Sequence, residues 1–167
     1  MIVSCLILAL VTAQRLGELV VARRNTRRLL AEGGVEYGAE HYPLMVGLHG
    51  AWLAGLWLLA WDRPANLAWL LVYLALEAAR AWVLLSIGRR WTTRIIVVPG
   101  ERLVRKGPYR LFPHPNYAVV VGEIAVLPLI FGLTAYAVVF SLLNASLLWL
   151  RIRTEEAALA SAQSPQA

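Results

Sequence analysis

Long apolar runs alternate with short polar connections along the 167 residues of the chain. Five runs are long enough, or nearly so, to cross a bilayer, which takes about 20 residues of helix. They cover residues 2–21, 44–61, 67–87, 117–131 and 133–150. The fourth is short and contains Pro128, which predicts a kinked or tilted helix. WDRPAN joins the second run to the third, and GLT, around Gly132, joins the fourth to the fifth, so each pair is expected to form a helical hairpin. Polar sequence concentrates in RRNTRRLLAEGGVEYGAEHYP, SIGRRWTTRIIVVPGERLVRKGPYRLFPHP and RIRTEEAALASAQSPQA. Within the second of these, TRIIVV and ERLVRK flank Pro99 and Gly100 and predict a short β-hairpin. The third begins by extending the last helix, and its end, 160–167, is expected to be disordered. The pattern predicts an all-α polytopic membrane protein with about five transmembrane helices, folded as a single domain over 1–167 without an internal repeat.

Composition supports this reading. Apolar residues make up 59% of the chain and its mean hydropathy is +0.61, against about 45–50% apolar in a soluble domain. The net charge of +6 would by itself suggest nucleic acid, but the basic residues sit between apolar runs, so no nucleic-acid partner is expected. Cys5 is the single cysteine, which excludes an intramolecular disulfide and a thiolate metal motif, and no metal site is expected. The first run has neither a basic leader nor a small-residue cleavage site, and reads as a retained helix. With the N-terminus outside, thirteen basic residues lie on the inner side and only Arg63 outside. The positive-inside rule therefore predicts an external N-terminus and a cytoplasmic C-terminus. The run from Arg23 to Arg28 reads as an orientation signal and a contact for membrane lipid head groups.

Oppositely charged residues fall in pairs inside two of the runs. Arg15 and Glu18, and likewise Glu77 and Arg80, are spaced three apart, so each pair can meet on one helix face. Such residues usually face a bundle interior or a wet cavity. They read either as structural, self-neutralising pairs or as the wall of a substrate cavity. His49 and Asn144 read as interhelical hydrogen-bonding groups rather than ligands.

The stretch GPYRLFPHPNY breaks regular structure at Gly107-Pro108 and His114-Pro115, which puts a loop where the fourth span begins. Because GLT is so short, the start of the fourth span and the end of the fifth return to the same membrane surface. His114 and Tyr117 are therefore expected to face Arg151, Glu155 and Glu156 across a small gap. An HP or an EE dipeptide alone is commonplace, but here both flank one helical hairpin.

These motifs resemble the isoprenylcysteine carboxyl methyltransferase family and its phospholipid-methyltransferase relatives. The resemblance rests on Gly107-Pro108-Tyr109, on His114-Pro115-Asn116-Tyr117 and on Arg151-Ile152-Arg153-Thr154-Glu155-Glu156-Ala157-Ala158-Leu159, within residues 88–159. Two positions depart from the family pattern: Pro113 stands where an arginine is usual, and Val119 where a glycine often follows the tyrosine. The resemblance implies a cytoplasmic site for S-adenosylmethionine, built from Lys106, Gly107, Pro108, Tyr109, His114, Pro115, Tyr117, Glu155 and Glu156. It implies catalytic roles for His114, Arg151 and Glu155. Acidic side chains suit the ammonium and ribose hydroxyls of that cofactor, while cations and amides suit its carboxylate. There is no Gly-x-Gly-x-x-Gly, so a soluble Rossmann-type methyltransferase is excluded.

The implied acceptor is a lipophilic or prenylated molecule entering from the bilayer. In a bacterial inner membrane, which the compact alanine- and arginine-rich sequence suggests, a long-chain phenol or pyrone is the first expectation. An isoprenylcysteine-type carboxylate and a phospholipid amine are the alternatives. A phenol needs a base, for which His114 or a cytoplasmic glutamate is a candidate. The competing class is a small membrane scaffold or transporter subunit, which would leave both motifs idle.

Overall fold

The computed structural model describes residues 1–101 and 103–163. Five helices are present: α1 (Ile2–Ala31), α2 (Tyr42–Ala60), α3 (Leu67–Ile87), α4 (Pro115–Ile130) and α5 (Thr134–Gln163). Four of them, all but α4, are long and apolar enough to cross a membrane, so the protein is an all-α polytopic membrane protein. At 1.5 Å per residue, α1 and α5 are each about 45 Å long, longer than a hydrocarbon core of about 30 Å. The excess lets α1 carry Arg23, Arg24, Arg27 and Arg28, and α5 carry Arg151 to Glu156, beyond the apolar layer.

The short helix α4 is the centre of the bundle. Val119, Ile124, Val126, Leu127, Pro128 and Ile130 on it are buried, and it packs between α3 and α5. Being covered by protein explains how a 16-residue helix with an internal proline is accommodated. The α4–α5 connection turns at Gly132, whose φ of 70° suits glycine, and these helices are the expected antiparallel hairpin. The α2–α3 turn behaves differently. Asn66 caps α3 through the amides of Ala68 and Trp69 at 2.9 and 3.3 Å. Beyond the turn, however, α3 lies against α4 and not against α2, which instead contacts α1 and α5. A tight connection sets only the start of the two helices; burial of α4 decides where α3 lies.

Polar bonds hold the loosely packed α2 in place. Trp57 Nε1 donates to Thr12 Oγ1 on α1 at 3.0 Å, and Tyr136 on α5 donates to the Trp52 carbonyl at 2.8 Å. In lipid such bonds matter because apolar burial gives little preference for helix over tail. Trp52, Leu56, Leu8, Ile124, Leu127 and Phe131 form the dry part of the core.

One end of the bundle gathers the amino end of α1 with the α2–α3 and α4–α5 turns; Ser4 Oγ donates to the Arg63 carbonyl, and the Asn66 amide to that of Ile130. The opposite end carries the polar segments. There β1 (Val35–Tyr37) pairs antiparallel with β2 (Ile95–Val97) in the register Val35 to Val97, Glu36 to Ile96 and Tyr37 to Ile95. This corrects the hairpin expected around Pro99-Gly100. That dipeptide sits in a turn, and no strand follows it among the described residues. Ile95 and Val97 gain burial on one face of β2, while Glu101 is drawn back to Arg89 and Arg90 at 3.1 and 3.0 Å. The disorder expected over 160–167 is also corrected in part: α5 continues to Gln163, and 164–167 lie outside the described residues.

Candidate active site

Pro115 is buried as the first residue of α4, a position that suits its fixed φ and missing N–H, and His114 stands at the cap before it. This start points His114 and Tyr117 toward the last turns of α5. The two rings stack with centroids 5.4 Å apart. The Tyr117 hydroxyl donates to Glu155 Oε2 and accepts from Arg151 Nε, the latter at 2.9 Å. His114 lies 3.3 Å from Glu156 Oε1 and 3.8 Å from Glu155 Oε2. The side chains expected to converge from two motifs about 40 residues apart do converge.

Arg151 is the most constrained of them. Only 6% of it is exposed. Its Nη2 donates to the Thr93 carbonyl at 2.9 Å, its Nη1 lies 3.5 Å from Met45 Sδ, and it joins no salt bridge among the described residues. A buried guanidinium without a carboxylate is costly, and its remaining donors suit an anionic ligand group.

Two cavities meet here. One, of about 110 Å³, opens at the polar end and is walled by Tyr109, His114, Tyr117, Glu155, Leu159 and the β2 segment. Burial pushes the Tyr109 phenol up to about 12, with Glu155 adding to the shift, so it is a neutral donor in the wall. The second, of about 340 Å³, lies among the helices and is walled mainly by α1, α2 and α4, with Arg15, Glu18, Arg80 and Glu123 in it. Trp91, Thr92, Asn116, Tyr117 and Arg151 line both cavities. In that shared wall the Trp91 Nε1 and Asn116 Oδ1 atoms are buried without a protein partner.

The loop residues take other positions. Gly107 adopts φ 55°, and a Cβ there would run into Ser86 Oγ and lie 3.1 Å from Trp82 Nε1, so this glycine seats the loop on α3. Pro108 is buried, Lys106 is exposed, and neither these two nor Gly107 lines a cavity. Pro115 and Glu156 also lie outside the cavity walls; Glu156 reaches His114 from an exposed position.

The intramembrane charges pair differently from expectation. Arg15 and Glu18 do meet, at 3.1 Å. Arg80 does not pair with Glu77; it binds Glu18 at 2.5 Å and Glu123 at 3.0 Å, and Arg15 also reaches Glu123, at 2.8 Å. Glu77 is left to Gln14. Glu123 lies inside the fourth apolar run, where a carboxylate is a signal in its own right. Trp91, Thr93 and Asn116 carried no such signal. His49 bonds within its own helix, to the Met45 carbonyl at 2.8 Å, and not between helices.

The profile of the isoprenylcysteine carboxyl methyltransferase (ICMT) family matches residues 69–161, more than half of the chain and all of the site motifs. The chain belongs to the isoprenylcysteine carboxyl methyltransferase family. Membership makes it a membrane methyltransferase in general terms. Among similar proteins, "Uncharacterized protein YpbQ" of Bacillus subtilis (strain 168) is 40% identical over 92% of this chain and 95% of its own length. An "Uncharacterized protein" of Haemophilus influenzae is 24% identical over 90% of this chain and 91% of its own length. Both alignments span nearly the whole chain of this ICMT-family protein. No solved structure matches it significantly.

Proposed function

We propose that the protein methylates a lipophilic acceptor using S-adenosylmethionine, by O-methylation of a lipid-like phenol or pyrone or of an isoprenylcysteine-type carboxylate. The observation that supports this best is the shared wall: Trp91, Thr92, Asn116, Tyr117 and Arg151 stand between a polar-end cavity and an intramembrane one. A water-soluble donor suits the first and a membrane-borne acceptor the second. The positive-inside rule puts the polar end in the cytoplasm, where the donor is made.

The residues fit the cofactor. Glu155 suits its ammonium or ribose hydroxyls, Glu156 reaches the site through His114, and the unpaired Trp91 Nε1 and Asn116 Oδ1 offer a donor and an acceptor. When bound, S-adenosylmethionine supplies a methyl group on a positively charged sulfonium. Glu155 orients Tyr117, which in turn holds the Arg151 guanidinium at the boundary between the cavities. Arg151 steadies an ionised acceptor oxygen in line with the methyl group. Enclosure among the helices would limit the water that screens charges annihilated on transfer. A carboxylate acceptor needs no base. For a phenol, His114, held beside Glu155 and Glu156, is the group placed to take the proton.

Calorimetry with S-adenosylmethionine on the detergent-purified protein tests the reading, followed by labelled methyl transfer into a total lipid extract. Binding weakened by His114→Ala, Glu155→Gln and Glu156→Gln is expected. Absence of binding at millimolar cofactor would return the protein to the scaffold class.

A further inference from the structure

The intramembrane cavity carries polar groups that the methyl-transfer site does not use. Glu123 is 1% exposed and belongs to the cavity wall. Its Oε2 takes both Arg15 and Arg80, whereas its Oε1 is buried without a partner. Trp52, 2% exposed and in the same wall, has an unpartnered Nε1. Around this end of the cavity Glu18 and Glu123 face Arg15 and Arg80 and pair with them. At the other end of the cavity, Arg151 is a cation with no carboxylate bound to it. The cavity thus has a cation without a carboxylate at its shallow end and a carboxylate oxygen without a partner at its deep end. On α4 these are marked by Asn116 and Glu123, seven residues and so about 10 Å apart along the axis.

A plain hydrocarbon chain filling this space would leave the Glu123 oxygen and the Trp52 N–H unsatisfied, a desolvation cost that a polar substituent on the chain would remove. We propose that Glu123 is a specificity residue, and that the acceptor is a lipid bearing a hydrogen-bond-donating group, such as a hydroxyl, about 10 Å from the methylated oxygen. The donating group bonds Glu123 Oε1 while the ionised head sits at Arg151. This deepens the lipophilic-acceptor reading and rests on it. It favours a hydroxylated lipid over an unsubstituted prenyl chain.

The test needs no cofactor and so stands apart from the calorimetry above. Hexadecanoate and its 2-, 8- and 16-hydroxy derivatives are titrated into the full chain in nanodiscs, and affinity is read from the thermal shift that binding produces. The 8-hydroxy probe should bind at least about tenfold more tightly than hexadecanoate, as a hydrogen bond to a charged group gives. The 2- and 16-hydroxy probes should gain little. Glu123→Gln should reduce the advantage of the 8-hydroxy probe over hexadecanoate to less than about threefold. Glu123→Asp, which keeps the charge facing Arg15 and Arg80, provides a folded variant with a withdrawn carboxylate and should also lose the advantage. Equal binding of all four probes to the wild type, or an 8-hydroxy advantage that survives both substitutions, would overturn the assignment.

Discussion

Arg80 binds Glu123 at 3.0 Å across two helices, although Glu77 lies one turn away on its own helix. Both spacings permit an ion pair; the packing of α3 on α4 selects one of them. Arg80 also takes Glu18, so one guanidinium fastens α1, α3 and α4 in the middle of the bundle. The same network forms the deep wall of the intramembrane cavity.

Stability should depend on this partner choice. Arg80→Ala leaves Glu18 short of a partner and Glu123 with Arg15 alone, and breaking a buried pair costs about 3–5 kcal/mol. Glu77→Gln keeps an oxygen for Gln14 and should cost less than about 1 kcal/mol. Thermal unfolding of the two variants in one detergent separates them. A larger loss for Glu77→Gln would contradict the observed pairing.

The relay from Glu155 through Tyr117 to Arg151 should set cofactor affinity without supporting the fold. Tyr117→Phe keeps the ring stacked on His114 and removes only the hydroxyl that joins the two charged groups. The expected loss is about ten- to a hundredfold in S-adenosylmethionine affinity, measured by calorimetry, with purified yield near that of the wild type.

Gly107 should matter for the loop and not for direct cofactor contact. Its φ of 55° and its close approach to Ser86 leave no room for a Cβ. Gly107→Ala should detach the loop from α3 and increase tryptic cleavage at the exposed Arg105 and Lys106, detected by mass spectrometry of timed digests. Unchanged cleavage would mean that the loop holds its place without the glycine.

The site should open to the cytoplasm. A reporter fused to the C-terminus should be active there, and a tag within residues 62–66 should be labelled from outside. Labelling of that turn from the cytoplasmic side would invert the bundle and separate the site from its cofactor supply.

The sequence by itself determined the class, the number of helices and the convergence of His114 and Tyr117 on Glu155. Apolar run length fixes a span because lipid satisfies no backbone polar group, and a connection as short as GLT leaves two helices little choice but to lie antiparallel. Those are local or one-dimensional constraints. The strand pairing, the ion-pair partners and the shared cavity wall were not legible in this way. Val97 could pair with residues just beyond Pro99-Gly100 or with Val35, and only the burial of Ile95 and Val97 beneath the polar end decides for the distant strand. Arg80 has an acid at helical spacing and two others across the bundle, and only the packing of α3 on α4 ranks them. Trp91 and Asn116 are unremarkable letters in the chain. They become a shared wall because tertiary packing closes two cavities against them and supplies no protein partner for Trp91 Nε1 or Asn116 Oδ1.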